Sequence, residues 1–112
     1  MADCLFCRIV AREIPAQLVH EDALSVAFKD IAPRAPTHVL IVPKKHLAGL
    51  SATADEDAAL LGHLQRTAAK LAEDFGLSSG YRVITNNGRA AGQTVDHLHY
   101  HLLGGRSLQA MG

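Results

Sequence analysis

His97-Leu98-His99-Tyr100-His101-Leu102-Leu103 decides how this 112-residue chain is read. On an extended strand alternate side chains share a face. The three imidazoles therefore project to one side, while Leu98, Tyr100 and Leu102 point into a core on the other. At about 3.3 Å rise per residue, neighbouring histidine Cα atoms lie about 6.5–7 Å apart and the outer two about 13 Å apart. That span is too long for three imidazoles to share one ion at bonds of about 2.0–2.1 Å, although a neighbouring pair can share a metal. A row of groups along an extended substrate suits the spacing better. Neutral imidazoles so placed can act as a nucleophile and as its proton-transfer partner. Their mutual proximity disfavours charging all three at once.

Working outward from this stretch, Asn86-Asn87-Gly88 and Gly92-Gln93-Thr94 form a polar loop feeding the histidine strand. Such loops offer backbone N–H groups to anions, though most are only turns. Tyr81 to Thr85 reads as a strand before it. Upstream lies the one long helix, with Thr53-Ala54-Asp55-Glu56 as a capping box, a stripe of Leu60, Leu61, Leu64, Ala68, Leu71 and Phe75, and Gly76 as its C′ residue. His38 to Val42 is a β-branched run closed by Pro43, hence a well-buried strand. Leu24, Val26 and Phe28 alternate with Ser25, Ala27 and Lys29 as in a half-buried strand, and Gln17 to Glu21 reads as a strand before it, across a tight turn. Cys4 to Arg12 reads as a short turn or helix that ends before Ile14-Pro15. The order predicts one α+β domain over residues 1–112, with about five mostly antiparallel strands, one long helix and a short N-terminal helix.

Composition narrows the function. Lys+Arg is 11 and Asp+Glu is 11, so the formal charge is +0, which argues against a nucleic-acid partner. No apolar run approaches the roughly 18–20 residues that span a bilayer. Met1-Ala2-Asp3-Cys4 lacks a basic region followed by an apolar one, so a cytoplasmic protein with reduced cysteines is expected. Seven histidines against three Phe, two Tyr and no Trp place the chemistry on imidazole. Cys4-x-x-Cys7 has no strand before it, as a thioredoxin-type pair requires. Half of a tetrahedral zinc site, or two inert small residues in a turn, remain. His20 and His63 read as surface or hydrogen-bonded histidines.

The stretch Gln93 to Arg106 resembles the histidine-triad signature, His-φ-His-φ-His-φ-φ with φ hydrophobic. Ile14-Pro15-Ala16, Phe28-Lys29-Asp30-Ile31, Ala35-Pro36-Thr37-His38, Pro43-Lys44-Lys45-His46 and Leu61-Gly62-His63-Leu64 are similar to the Hint branch of that superfamily. The resemblance covers nearly the whole chain. It implies a HIT-like fold whose sheets join across a homodimer, and transfer of a purine nucleotidyl group to water. By it, His99 attacks the α-phosphorus, and His101 contacts the phosphate and assists proton movement, with His97 the first of the catalytic row. Asn86, Gly92, Gln93 and Thr94 occupy phosphate positions, and Asp30 receives the ribose hydroxyls. Phe6, Ile9, Phe28 and Ile31 line the base cleft, and His38 stands near the site. The same resemblance pairs Cys4 and Cys7 with His46 and His97 around a structural zinc, as in many bacterial triad proteins. It departs from the branch at Thr94, where Ser is common, and in the tail Ser107 to Gly112, which has no aromatic residue where eukaryotic relatives carry Trp.

The expected activity is thus a purine nucleoside phosphoramidase. Its rivals are a dinucleoside polyphosphate hydrolase, a nucleotide-binding adaptor with incidental hydrolysis, and a zinc hydrolase using two triad histidines.

Overall fold

The computed structural model describes residues 4–110; Met1–Asp3 and the last two residues of the tail lie outside that range. Five strands form one fully antiparallel sheet: β1 (Leu18–Glu21), β2 (Ser25–Lys29), β3 (Thr37–Pro43), β4 (Tyr81–Ile84) and β5 (Tyr100–Gly104). Their spatial order is β1-β2-β3-β5-β4, so β5 is inserted between β3 and the β4 edge. A six-residue helix, α1 (Leu5–Val10), covers one face of the sheet, and a 17-residue helix, α2 (Ala58–Asp74), covers the other. No helix among the described residues is long and apolar enough to cross a membrane.

The α+β class, the five strands and both helices agree with the sequence pattern, and the differences are local. The strand predicted from His97 begins at Tyr100, because the residues before it still belong to the turn leaving the polar loop. The alternation of side chains nevertheless holds back to His97: Leu98, Tyr100 and Leu102 enter the core beneath α2, and His97 and His99 stack against Phe6 of α1. β2 is buried on both sides rather than one, with Val26 and Phe28 toward α1 and Ala27 toward α2. The same double cover explains the unbroken apolar run of β3.

The start of α2 also differs. The Thr53 hydroxyl donates to the Leu50 carbonyl rather than capping the helix. Asp57, four residues after the predicted N-cap, instead accepts from the Ala54 N–H at 2.8 Å and pairs with Lys45 at 2.7 Å. Asp55–Asp57 forms a single 3₁₀ turn before α2 begins. The far end follows the pattern: Gly76 has φ 72, and Gly76 and Leu77 donate to the carbonyls of Glu73 and Ala72.

Candidate active site

β5 lies beside β3 in a register that sets Leu40 opposite His101, while on its other side Ile84 of β4 also faces His101. The Thr85 hydroxyl donates to the His99 carbonyl at 2.8 Å and pins the backbone just before β5. The three imidazoles run along the face that α1 covers only at one end. Phe6 places its ring edge-on to His97 and His99, with centroids at 5.9 and 5.1 Å. His99 and His101 follow at 5.0 Å.

Backbone groups assign a proton to each ring. The His99 Nδ1–H donates to the His97 carbonyl at 2.7 Å, which leaves the His99 Nε2 lone pair bare. At the other end, the Arg34 N–H donates to His38 Nδ1 at 3.0 Å. A neutral His38 therefore carries its proton on Nε2, and that N–H donates to His101 Nδ1 at 2.9 Å. The proton of a neutral His101 must then sit on Nε2. Burial pushes the His101 pKa down to about 4, aided by His99 and His38, and burial lowers His38 as well. His101 and His38 are thus neutral near pH 7, and His101 presents an N–H at Nε2 beside His99.

Two connected hollows meet at this pair. A cavity of about 450 Å³ is lined by Asp30, Arg34, His38, Asn86, Gly92, Thr94, His99 and His101. An apolar cleft of about 350 Å³ beside it is lined by Phe6, Ile9, Phe28, Ile31 and Leu40, and shares Asp30, Thr94, His99 and His101 with the first. Eleven of the twelve residues the sequence assigned to nucleotide binding therefore line one continuous groove. Phe6, Ile9 and Phe28 double as core, while Ile31 is fully exposed at the rim. Gln93 is the one set apart: its amide nitrogen donates to the carbonyls of Ala48 and Val95, and its oxygen accepts from the Gly88 N–H. It shapes the loop of residues 86–94 with its side chain instead of lining the groove. One Asp30 oxygen accepts from the Ala32 N–H at 2.8 Å and the other lies 3.4 Å from His38 Nε2; each keeps a further lone pair for a hydroxyl.

Ile84, Leu103 and Arg34 line the cavity without having been singled out from the sequence. Leu103 lies two residues past His101, so the alternation that placed the histidines also locates it. Arg34 acts through its backbone and leaves no side-chain signal.

Cys4, Cys7, His46 and His97 converge at the outer end of the row, with their ligand atoms all within 4.8 Å of one another. Cys4 Sγ and Cys7 Sγ lie 3.3 and 3.5 Å from His97 Nδ1, and His46 Nδ1 lies 3.2 Å from Cys7 Sγ and 3.1 Å from His97 Nδ1. Bonds of about 2.0–2.3 Å to one tetrahedral ion put ligand atoms roughly 3.3–3.8 Å apart. His97 is prepared for that role, because its Nε2–H donates to the Pro43 carbonyl at 2.9 Å and leaves Nδ1 free of a proton. The donor set fits zinc. Asp30, His38 and His101 also come close together, but the Arg34 N–H keeps the facing His38 nitrogen protonated, so this group is a hydrogen-bonded chain. His20 and His63 each hydrogen-bond Asp22, at 2.8 and 2.9 Å, away from the groove.

The HIT domain model matches residues 11–108, so the chain belongs to the HIT, or histidine-triad, family. It is 55% identical over 104 residues to an uncharacterized HIT-like protein of Synechocystis, covering 93% of this chain and 91% of that protein. Among solved structures it is similar to a HIT family hydrolase from Clostridium thermocellum, with TM-score 0.95 and 48% identity over 99% of this chain and 97% of the other. A histidine triad nucleotide-binding protein from Candida albicans superimposes with TM-score 0.82 and 37% identity, covering 98% of this chain and 87% of the other.

Proposed function

We propose that this chain is a nucleotide-binding hydrolase of the Hint branch that cleaves purine nucleoside 5′-phosphoramidates through a nucleotidyl-histidine at His99. The observation that carries this reading is the opposed pair of tautomers: a bare Nε2 on His99 beside an N–H on His101, each set by the backbone. In the first half-reaction the His99 Nε2 lone pair forms a bond to the α-phosphorus as the P–N bond breaks. The electron pair of that bond goes to nitrogen, which leaves as the amine with one proton from solvent. His101 Nε2–H donates a hydrogen bond to the phosphoryl group. In the second, water attacks phosphorus, the His99 nitrogen recovers its lone pair, and one proton returns to solvent. The His99 Nδ1–H bond to the His97 carbonyl favours the positive charge the ring carries in between.

The groove accounts for the rest of the substrate. Phe6, Ile9, Phe28 and Ile31 receive the purine, and covering the fully exposed Ile31 removes apolar surface from water. Asp30 takes the ribose hydroxyls. Asn86, Gly92 and Thr94 hold the phosphate, with Gln93 shaping their loop. When bound at Cys4, Cys7, His46 and His97, zinc supplies a structural clamp: it ties the start of α1 to the segment after β3 and to the residue that opens the triad, with four protein ligands closing its shell. The exposed Tyr81 and Val83 on the β4 edge suit pairing with the same edge of a second copy into one sheet. Free thiols and balanced charge suit the cytoplasm and a small-molecule substrate.

The test is a comparison of kcat/KM for an adenosine 5′-phosphoramidate and a diadenosine polyphosphate, with mass spectrometry of quenched enzyme for adenylylated His99. The phosphoramidate should be cleaved far faster, because the tail after Gly105 offers only Arg106 as a cation for a polyphosphate leaving group. Equal or faster cleavage of the dinucleotide moves the protein to the rival hydrolase. Negligible turnover of both, with nucleotide still bound, makes it an adaptor.

A further inference from the structure

The tautomer of His101 depends on a chain that begins outside the groove. Arg106, in the exposed tail after β5, donates from Nη2 to the Arg34 carbonyl at 2.7 Å. The N–H of the same residue donates to His38 Nδ1 at 3.0 Å, and His38 Nε2 meets His101 Nδ1 at 2.9 Å. One residue of the loop between β2 and β3 thus has its carbonyl clamped by the tail and its N–H spent on a buried ring. The loop has few other anchors. Pro33 and Pro36 lack an N–H, and only Ala35 among residues 31–36 is buried. The tail reaches the loop because Gly105 has φ 97 and crosses so close that a Cβ there would lie 2.9 Å from Pro36 Cβ.

Withdrawing the Arg34 N–H frees His38 to hold its proton on Nδ1 and present a bare Nε2. His101 then donates from Nδ1, and its Nε2, facing the substrate, loses its proton. A single backbone hydrogen bond sets two protons, and its effect is felt at the reacting centre.

We infer that Arg106 is a positioning residue: by holding the Arg34 peptide against His38 it fixes the tautomer in which His101 offers an N–H to the substrate. This rests on the reading of His99 as nucleophile beside a proton-bearing His101. Arg106 touches neither ring, and its side chain is exposed, so its removal leaves the core intact.

The experiment measures the tautomers directly. Long-range proton–nitrogen correlation spectra of ¹⁵N-histidine-labelled protein should show His38 and His101 protonated on Nε2. In Arg106→Ala both should move toward Nδ1–H or a mixture. The kcat for an adenosine 5′-phosphoramidate should fall by about tenfold, about 1.4 kcal/mol in the barrier, with KM changed less than about twofold. Arg106→Lys, which keeps a donor, should restore most of both signals, and Arg106→Met, which keeps the apolar stem, should not. Unchanged tautomers in a folded Arg106→Ala protein overturn the inference, whatever happens to kcat. So does a loss that Arg106→Lys and Arg106→Met share equally. If the wild-type protein turns over no phosphoramidate, the proposed function fails, and the spectra still decide whether Arg106 sets the tautomer.

Discussion

On the α2 side of the sheet, Ala27, Val39, Ile41, Leu98 and Leu102 meet Leu64, Ala68, Leu71 and Ala72, with no imidazole or thiol among them. On the α1 side, the buried cover over Val26, Phe28, Leu40 and Val42 is Phe6 and Ile9, edged by half-buried Val10, Ile14, Ala16 and Val95, and the histidine row stands beside them. A 17-residue helix closes one face and a six-residue helix leaves the other open as a groove. The contrast shows how a chain of this size keeps four imidazoles poorly solvated. The α2 face supplies apolar burial at about 25 cal/mol per Å². The α1 face gives up part of its packing to hold polar groups, and backbone groups of Arg34, Pro43 and His97 each fix one nitrogen of His38, His97 and His99.

Replacing a central group on each side is the sharpest test of that division. His99→Ala should lower phosphoramidate turnover by at least about 10³-fold, roughly 4 kcal/mol in the barrier. Nucleotide binding by calorimetry and the melting temperature should stay close to wild type. His101→Ala should cost less, within the roughly 10²–10³ range of one lost hydrogen-bond donor to the reacting phosphoryl group. On the other face, Leu64→Ala opens a cavity at a fully buried position and should cost about 2–5 kcal/mol of stability by urea titration. The molecules that remain folded should turn over normally. Comparable losses of activity per folded molecule from both replacements would mean that the faces are not separable.

Metal removal probes where the groove side gets its rigidity. With the proposed clamp in place, stripping zinc with a chelator should lower the melting temperature, because the ion would tie α1 at Cys4 and Cys7, and α1 carries Phe6 onto the triad. Turnover well below the transition should persist. Loss of all turnover at low temperature would instead favour the zinc-hydrolase rival, and elemental analysis finding no metal after growth with zinc would remove the clamp. The smallest effect expected is with pH. The His101 pKa in the folded chain, about 4, lies below the ordinary imidazole value, and His38 is lowered in the same direction. Between about pH 6.5 and 4 the unfolded chain therefore binds more protons than the folded one, and stability falls on acidification through that window. Scanning calorimetry of His101→Asn should show a flatter melting-temperature profile there than wild type.

Much of this was legible in the sequence because it repeats with a period. The apolar stripe of α2 and the His–Leu alternation each carry several residues that agree with one another. Where a single position decides, the pattern misleads. Thr53 and Glu56 have the spacing of a capping box, yet Asp57 makes the contact, since Lys45 from the segment after β3 draws its carboxylate there. Gln93 sits in the polar loop of residues 86–94 by order along the chain, yet its amide braces that loop and ties it to Ala48 instead of facing the groove. The links through Arg34 could not be read at all, because both of its working groups belong to the backbone and Arg106, which clamps its carbonyl, lies 72 residues away in the chain.

The alternation from His97 to Leu103 also limits how this chain can change in length. Leu98, Tyr100 and Leu102 are buried beneath α2 while His97, His99 and His101 face the other way, so two functions are interleaved by parity. Inserting or deleting one residue reverses the parity of all that lies beyond it, sending imidazoles under α2 and leucines into the groove. A two-residue insertion restores the parity but carries His101 about 6.5–7 Å along the strand, out of reach of His38. The segment can therefore accept exchanges of one side chain for another far more readily than any gain or loss of chain.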